Sequence, residues 1–371
     1  MFVSMFRLHR FFITAVSLWL LLNSSSAITT QAQARAYVTN MCDATVLVID
    51  TDTNKVVATI PVGLRPRGVV MTPDGARLYV ASSESNIVSV IDTATNTIVA
   101  TVPVGTFPTK VAITPDGARV YVVNFSSGTV SVIDTKTNTV VNTLFVGPFV
   151  FGVAITPDGT RLYVTGNSAA GTTITVFDTA TNAVVDTIIP LHVGSTAGVV
   201  FTPDGARAYV EQINEFLDVI DTATNTVVSD ILQANVFHDQ LAITTDGKLL
   251  YVTGVEIPAI SVVDTSTNAV VNTIPLGFNP LFSAVTSDGT RVYTANVQNS
   301  VSVIDTATNT VIATLQLEDP ANPSLGCLTE IAITPVPKNK DDCKDGGYRK
   351  FRGLAFKNQG QCVKYVNRHA H

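Results

Sequence analysis

The side chains suited to acid–base chemistry are few. His238 and Asp239 are adjacent, whereas Glu330 and His192 stand far from them in the chain. A histidine beside a carboxylate can hold and relay a proton near neutral pH. A second carboxylate facing it would complete a general acid/base pair or contribute to a metal site. No two histidines occur at metal-ligand spacing, so no metal is expected; no residue is assigned as catalytic, and His238, Asp239 and Glu330 are the candidates. Asp50-x-Asp52-x-Asn54 imitates the start of a calcium loop, but Lys55 stands where that loop needs glycine and Pro61 where it needs a bidentate glutamate. There is no Cys-x-x-Cys-His for haem, no Gly-x-Ser-x-Gly elbow and no phosphate-cradling glycine loop, so no cofactor is expected.

Whatever brings these groups together is a repeat. Thr72-Pro73-Asp74-Gly75 recurs from Thr114, Thr156 and Thr202 and, eroded, as Thr244-Thr245-Asp246-Gly247 and Thr286-Ser287-Asp288-Gly289; the glycines step by 42, 42, 46, 42 and 42 residues. Such a period belongs to propeller blades. Within one unit, residues 110–114, 119–124, 130–134 and 140–145 read as strands A to D. Thr-Pro-Asp-Gly joins A to B, and Asp-Thr-x-Thr-Asn joins C to D. Proline presets φ, and glycine or asparagine enters the left-handed region, so both are tight reversals and each repeat is an antiparallel meander. Tyrosine marks strand B seven times, from Tyr37 to Tyr293, and aspartate ends strand C seven times, from Asp50 to Asp305. The chain enters at strand B and supplies one last strand A at 329–334. The expected fold is all-β: a seven-bladed β-propeller of four-stranded antiparallel blades, closed by a C-terminal strand joining the N-terminal blade.

Tyr37-Val38-Thr39-Asn40 and its recurrences, in register with the turn landmarks, resemble the YVTN-repeat β-propeller family over residues 35–335. The resemblance places the chain in the wider WD40/YVTN repeat-like superfamily and implies a closed ring of seven blades. YVTN-like propellers include surface-layer proteins; related propellers include lactonases, a streptogramin lyase and periplasmic redox domains. The Trp-Asp signature of WD40 blades is absent, because the single tryptophan is Trp19.

Residues 1–34 are expected to be a secretory signal. Arg7 and Arg10 precede an apolar run over 11–22. That run falls short of the roughly 20 residues that span a bilayer. Cleavage follows Ala34 or Ala27, after which no transmembrane segment remains. Residues 35–337 form the propeller, with 12 Lys/Arg against 26 Asp/Glu, and 338–371 form a small basic module, with 9 against 3. An acidic main body disfavours nucleic acid as a partner. The basic module either docks on its own domain as a cap or serves as an attachment element for an anionic envelope polymer.

Transferring the A–B hairpin register of the third blade to the closing blade places Cys327 opposite Cys42, which leaves Cys343 to pair with Cys362 within the module. Arginine stands two residues before most of the strand-B tyrosines, as at Arg77 and Arg119, with Leu249 the exception. Each arginine is expected to meet the aspartate that ends strand C of its own blade.

In such a ring the D–A connections and B–C loops surround one mouth of the channel, and binding residues favour loops on a rigid scaffold. The binding candidates there are Arg67, Lys110, Phe151, His192, Gln240 and Phe282, beside His238, Asp239 and Glu330. The chain therefore reads as an exported, monomeric, non-enzymatic recognition or scaffold protein, in the periplasm, at the cell surface or outside the cell. Its partner would be a protein or an envelope glycan held at the mouth. The alternative is a lactonase-like hydrolase or lyase acting on a small molecule there.

Overall fold

The computed structural model describes residues 34–371 apart from 169–170, 193–195, 213–215, 233–237, 255, 318–326, 338–339, 352–353, 355–358 and 370–371. The expected signal lies outside the described residues except for Ala34. Seven four-stranded antiparallel sheets are present, each ordered A–B–C–D. Blade 1 joins strand A, Leu328–Ile333, to strands Arg35–Asn40, Thr45–Asp50 and Lys55–Pro61. The other inner strands are Pro66–Met71, Pro108–Ile113, Val150–Ile155, Thr196–Phe201, His238–Ile243 and Pro280–Val285, one for each of blades 2 to 7.

Packing explains the Val/Ile runs. Strands B and C of a blade are sandwiched between two neighbours and are buried on both faces, whereas strand D is mostly exposed. The core is thus divided among the gaps between blades. In one gap, Tyr121, Val130 and Val132 of blade 3 meet Leu162, Val164 and Phe177 of blade 4. Each fully buried Val or Leu side chain contributes about 1.5–3 kcal/mol.

The recurring tyrosine and asparagine form latches between blades. Asn96 and Asn138 hold φ of 55° and 54° in the C–D turns, and in that conformation their side-chain oxygens accept from the preceding blade. Tyr37 donates to Asn96 Oδ1 at 3.2 Å, Tyr79 to Asn138 at 2.9 Å and Tyr251 to Asn309 at 2.6 Å. Tyr293 donates to Asn54 at 3.2 Å and so latches blade 7 to blade 1. Burial pushes the phenol pKa of these tyrosines up, to about 12 for Tyr251.

The arginines do not pair as the sequence suggests. Only Arg161 meets its own blade's aspartate, Asp178, at 2.6 Å. Arg77 donates to Thr135 O at 3.1 Å, Arg119 to Thr179 O at 2.6 Å and Arg291 to Thr51 O at 3.0 Å, all in the next blade. The aspartates are already engaged: Asp92 Oδ1 accepts from Ala94 N, Thr95 N and Thr95 Oγ1. The guanidinium therefore reaches a backbone carbonyl of the neighbouring turn, which at Thr179 and Thr51 also accepts from the phenols of Tyr121 and Tyr293.

Cys42 and Cys327 are joined, with Cα atoms 5.4 Å apart, and Cys343 is joined to Cys362. The hairpin register needs one correction. Strands A and B of blade 1 pair Ala36 with Ile333 and Val38 with Ile331, then shift at a bulge so that Asn40 faces Leu328. Met41 N therefore donates to Cys327 O at 2.7 Å, and Cys42 sits one residue beyond direct opposition.

The C-terminal module contains a 3₁₀ segment, Asp341–Lys350, and a helix, Gln359–His369. It lies on the face carrying the A–B and C–D turns. Tyr365 shares a cavity with Asp52, Asp288 and Arg291, while Lys350 shares another with Asp74 and Asp116. Ser287 and Val336 exchange two hydrogen bonds and pin the connecting segment to blade 7.

Candidate functional site

The third residue of each inner strand forms a ring at the other mouth: Gly68, Lys110, Gly152, Gly198, Gln240, Phe282 and Glu330. Three of the seven are glycine for a steric reason at two places. A Cβ on Gly68 would lie 2.7 Å from Thr109 O, and one on Gly152 would lie 2.1 Å from Ala197 O. The inner strands approach closely there, and the four remaining side chains share the space.

Glu330 organises this group. Its Oε2 accepts from Val69 N at 2.6 Å, and its Oε1 accepts from Gln240 Nε2 at 3.0 Å and from Lys110 Nζ at 3.4 Å. Its own backbone N donates to Thr39 Oγ1 at 2.8 Å, and the residue is 6 % exposed. The Lys110 ammonium also lies 4.3 Å from the centre of the Phe282 ring. The inner strands of blades 2, 3 and 6 are thereby tied to that of blade 1.

Above this floor opens a cavity of about 250 Å³ lined by Arg67, Phe107, Thr109, Lys110, Phe125, Phe151, Ala197, Phe282 and Thr329. Arg67 lies over the Phe107 ring at 5.4 Å. Phe125 packs 6.1 Å from Phe107 and 5.5 Å from both Phe149 and Phe151. The lining thus has an aromatic wall and two cationic groups, with the compensating carboxylate of Glu330 beneath one of them.

The structure gathers Arg67, Lys110, Phe151, Gln240, Phe282 and Glu330 at one mouth. Sequence reasoning missed Phe107, Phe125 and Thr109, which arrive from loops and a neighbouring strand position. His238 and Asp239 open the inner strand of blade 6, where His238 pairs in register with Gly254, and their side chains lie outside the described residues. His192 is placed elsewhere: it stacks on Phe216 at 3.9 Å, and its Nε2 lies 3.0 Å from Asp230 Oδ2 at the outer part of blade 5.

That corner carries a second departure from the repeat. Strands C and D pair Ser89 with Thr101, Ser131 with Thr143, Ser261 with Thr273 and Ser302 with Thr314, but in blade 5 they pair Asp218 with Asp230. Asp218 is fully buried, and Gln212 Nε2 donates to its Oδ2 at 2.8 Å. Burial pushes its carboxyl above the usual range, against the opposing pull of Leu191 N, Gln212 and His192. Among the described residues no group of three His, Cys, Asp or Glu side chains is arranged to hold a metal ion.

No family model matches the chain, and no curated protein matches it either. Among solved structures, Kuenenia stuttgartiensis hydrazine synthase superimposes with a TM-score of 0.63 at 24 % identity, over 73 % of this chain and 92 % of that one. The dihydro-heme d1 dehydrogenase NirN, in complex with DHE, superimposes with a TM-score of 0.60 at 18 % identity, over 78 % of this chain and 65 % of that one. At these identities the likeness is one of fold, and with the strand topology it makes the chain a seven-bladed β-propeller.

Proposed function

We propose that this protein is an exported recognition module whose ligand-holding surface is the mouth around Glu330. The observation that carries the reading is the contrast between the two faces. Residues of the turn face repeat from blade to blade, whereas the opposite mouth concentrates Arg67, Lys110 and four phenylalanines in one cavity. Concave, largely apolar sites with a few placed polar groups are the usual ligand sites on a rigid scaffold. Glu330 supports binding over catalysis, because both its oxygens accept bonds from groups of the scaffold.

Two disulfides support an oxidising compartment. Among the described residues no helix is long and apolar enough to cross a membrane. An N-terminal export signal completes the reading. Cleavage after Ala27 would retain Ala34, whose carbonyl accepts from Thr51 N and Oγ1. The tyrosine–asparagine latches give structural content to the YVTN resemblance and support placing the chain with that family. The charge contrast, together with the seats of Tyr365 and Lys350, supports a module that caps the turn face.

Immobilised full-length protein should retain an envelope component that Phe151→Ala and Arg67→Gln lose and that a chain ending at Pro337 keeps. Retention that depends on the module alone would move the binding surface to the opposite face.

A further inference from the structure

The D–A connection that leaves blade 4 meets blade 5 through groups that exchange protons, and we propose that the two form a proton-operated clasp. Leu191 and His192 are held on strands C and D of blade 5 while Asp218 and His192 carry protons, and are let go as the pH rises. The clasp is independent of what the mouth binds.

Strand alternation sets the corner. Val210 and Ile220 of blade 5 pack against Ile174, Val176 and Ile188 of blade 4. Side chains two apart share a face, so Gln212 of strand Arg207–Gln212, Phe216 and Asp218 of strand Phe216–Asp221, and Asp230 of strand Thr226–Leu232 also look toward blade 4. Onto this face the connection lays Leu191 N, which donates to Asp218 Oδ2 at 3.3 Å. It also lays the His192 ring, stacked 3.9 Å from Phe216 with Nε2 3.0 Å from Asp230 Oδ2. On either side of the buried Pro190, Ile189 and Leu191 turn outward at 61 % and 56 % exposure. Past Pro190, polar contacts and the His192 ring are what hold the segment.

Those contacts fit the protonated state. Asp218 and Gln212 are fully buried, and Asp218 Oδ2 accepts from both Leu191 N and Gln212 Nε2. Asp218 Oδ1 and Gln212 Oε1 are buried as well, and neither has a hydrogen-bond partner. A proton on Oδ1 turns one of these two acceptors into a donor, with Gln212 offering the other, while Oδ2 keeps both of its bonds. Burial, with the Asp230 charge adding to it, raises the affinity of Asp218 for that proton against the pull of Leu191 N, Gln212 and His192. A protonated His192 in turn balances Asp230. With both protons in place the corner is neutral; without them two opposed carboxylates remain, one of them inside the protein. A neutral imidazole can still donate from Nε2 but no longer brings the charge. The hold is therefore complete in acid and is lost as pH rises through the raised value of Asp218 and through the range, about pH 5 to 8, in which histidines change charge.

Among the described residues, the other charged and titratable side chains on these elements are engaged elsewhere. Tyr163 and Asp186 of blade 4 both meet Asn225 at the turn end. Asp221 accepts from Ala223 N and Thr224 N in the C–D turn, and Arg207 donates to Thr265 O of blade 6. Glu211 sits on the opposite face, where its Oε2 accepts from Gly198 N at 2.9 Å. Glu215 precedes Phe216 but lies outside the described residues, so it enters the test as a control. The clasped segment is the approach to the inner strand Thr196–Phe201, whose Ala197 lines the mouth cavity. A proton-dependent hold on it thus acts beside the mouth.

The test is amide hydrogen exchange of the full chain, followed by NMR at about pH 5 and about pH 8, with each rate divided by that of an unstructured chain at the same pH. Protection of Leu191 N should be about tenfold greater at the lower pH. Val104 N, which donates to Asn86 O in the matching connection of blade 2, should change by less than about twofold and also shows that each variant is folded. Asp218→Asn supplies a donor that cannot ionise, so Leu191 should stay protected at both pH values. His192→Phe keeps a ring on Phe216 without the charge, so protection at the lower pH should fall toward that at the higher. Glu215→Gln should leave the response unchanged. If Asp218→Asn does not fold, His192→Phe decides alone. The proposal is overturned by a wild-type response that is absent from Leu191 or shared equally by Val104. It is equally overturned by a response kept at full size in Asp218→Asn or His192→Phe, or abolished by Glu215→Gln.

Discussion

Asp218 and Asp230 are the residues most at odds with their surroundings. Two carboxylates directly opposed across antiparallel strands repel, and one of them is fully buried. The folded-state pKa of Asp218 lies above its unfolded value, so the folded protein holds that proton more tightly and loses stability as pH rises through the interval between the two. The turn aspartates Asp116, Asp158, Asp204 and Asp246 are displaced the other way, chiefly by hydrogen bonds from threonine. Their contribution is present above the unfolded value and is lost as pH falls. Only a difference between variants isolates Asp218. Asp218→Ser, which restores the residue used by blades 2, 3, 6 and 7, should raise the unfolding free energy near neutral pH by about 1 kcal/mol. That gain should shrink as the pH falls into the acid range, because the raised pKa lets the wild-type carboxyl take up its proton there more readily than an ordinary aspartate. Denaturant titrations at neutral and acid pH check this, and a gain that does not change with pH would mean that the buried charge is not its source. The substitution was visible in the sequence as an aspartate in a serine column, but only once the repeats are read column by column. His238-Asp239 drew attention because it is local, whereas Asp218 and Asp230 meet only through strand pairing.

The elements were the most legible level. Turn chemistry and short β-branched runs locate the strands within a residue or two, and strand A of blade 3 starts at Pro108 rather than Lys110. The partners of the repeated side chains were not legible, because the stagger between blades is a property of the ring. Tyr79 and Arg77 both reach the next blade's turn, at Asn138 and Thr135 O. Tyr79→Phe removes one hydrogen bond from a buried latch and should lower stability by about 1 kcal/mol. Blade 6 has Leu249 at the arginine position and keeps only the tyrosine latch, from Tyr251 to Asn309. Leu249→Arg should therefore supply the missing donor to the turn of blade 7 and stabilise by about 0.5–1 kcal/mol. Thermal melts of the two variants check the pair. No gain from Leu249→Arg would show that the arginine contacts are decorative beside the tyrosines.

At the scale of the molecule, closure depends on a blade assembled from both ends of the propeller. Strand Leu328–Ile333 pairs with Arg35–Asn40, and the phenol of Tyr293 reaches the turn at Asn54, so the ring closes with blade 1 four-stranded like the rest and only the short edges of strands A and D left over. Aligned tyrosines and a surplus strand A made this closure legible. The bulge near Asn40 was not, since it depends on how the inner strand bends at the mouth. The Cys42–Cys327 bond spans 285 residues of chain and ties the seam. In the chain-entropy model such a cross-link contributes on the order of 5 kcal/mol by restricting the unfolded state. Cys42→Ser/Cys327→Ser should lower the melting temperature more than any single latch variant and should speed hydrogen exchange at Ala36–Val38 relative to the matching strand in blade 3. If stability falls while exchange at the seam keeps pace with blade 3, the disulfide acts through the unfolded chain alone. Strand pairing and the Tyr293 latch would then suffice to hold the folded ring shut.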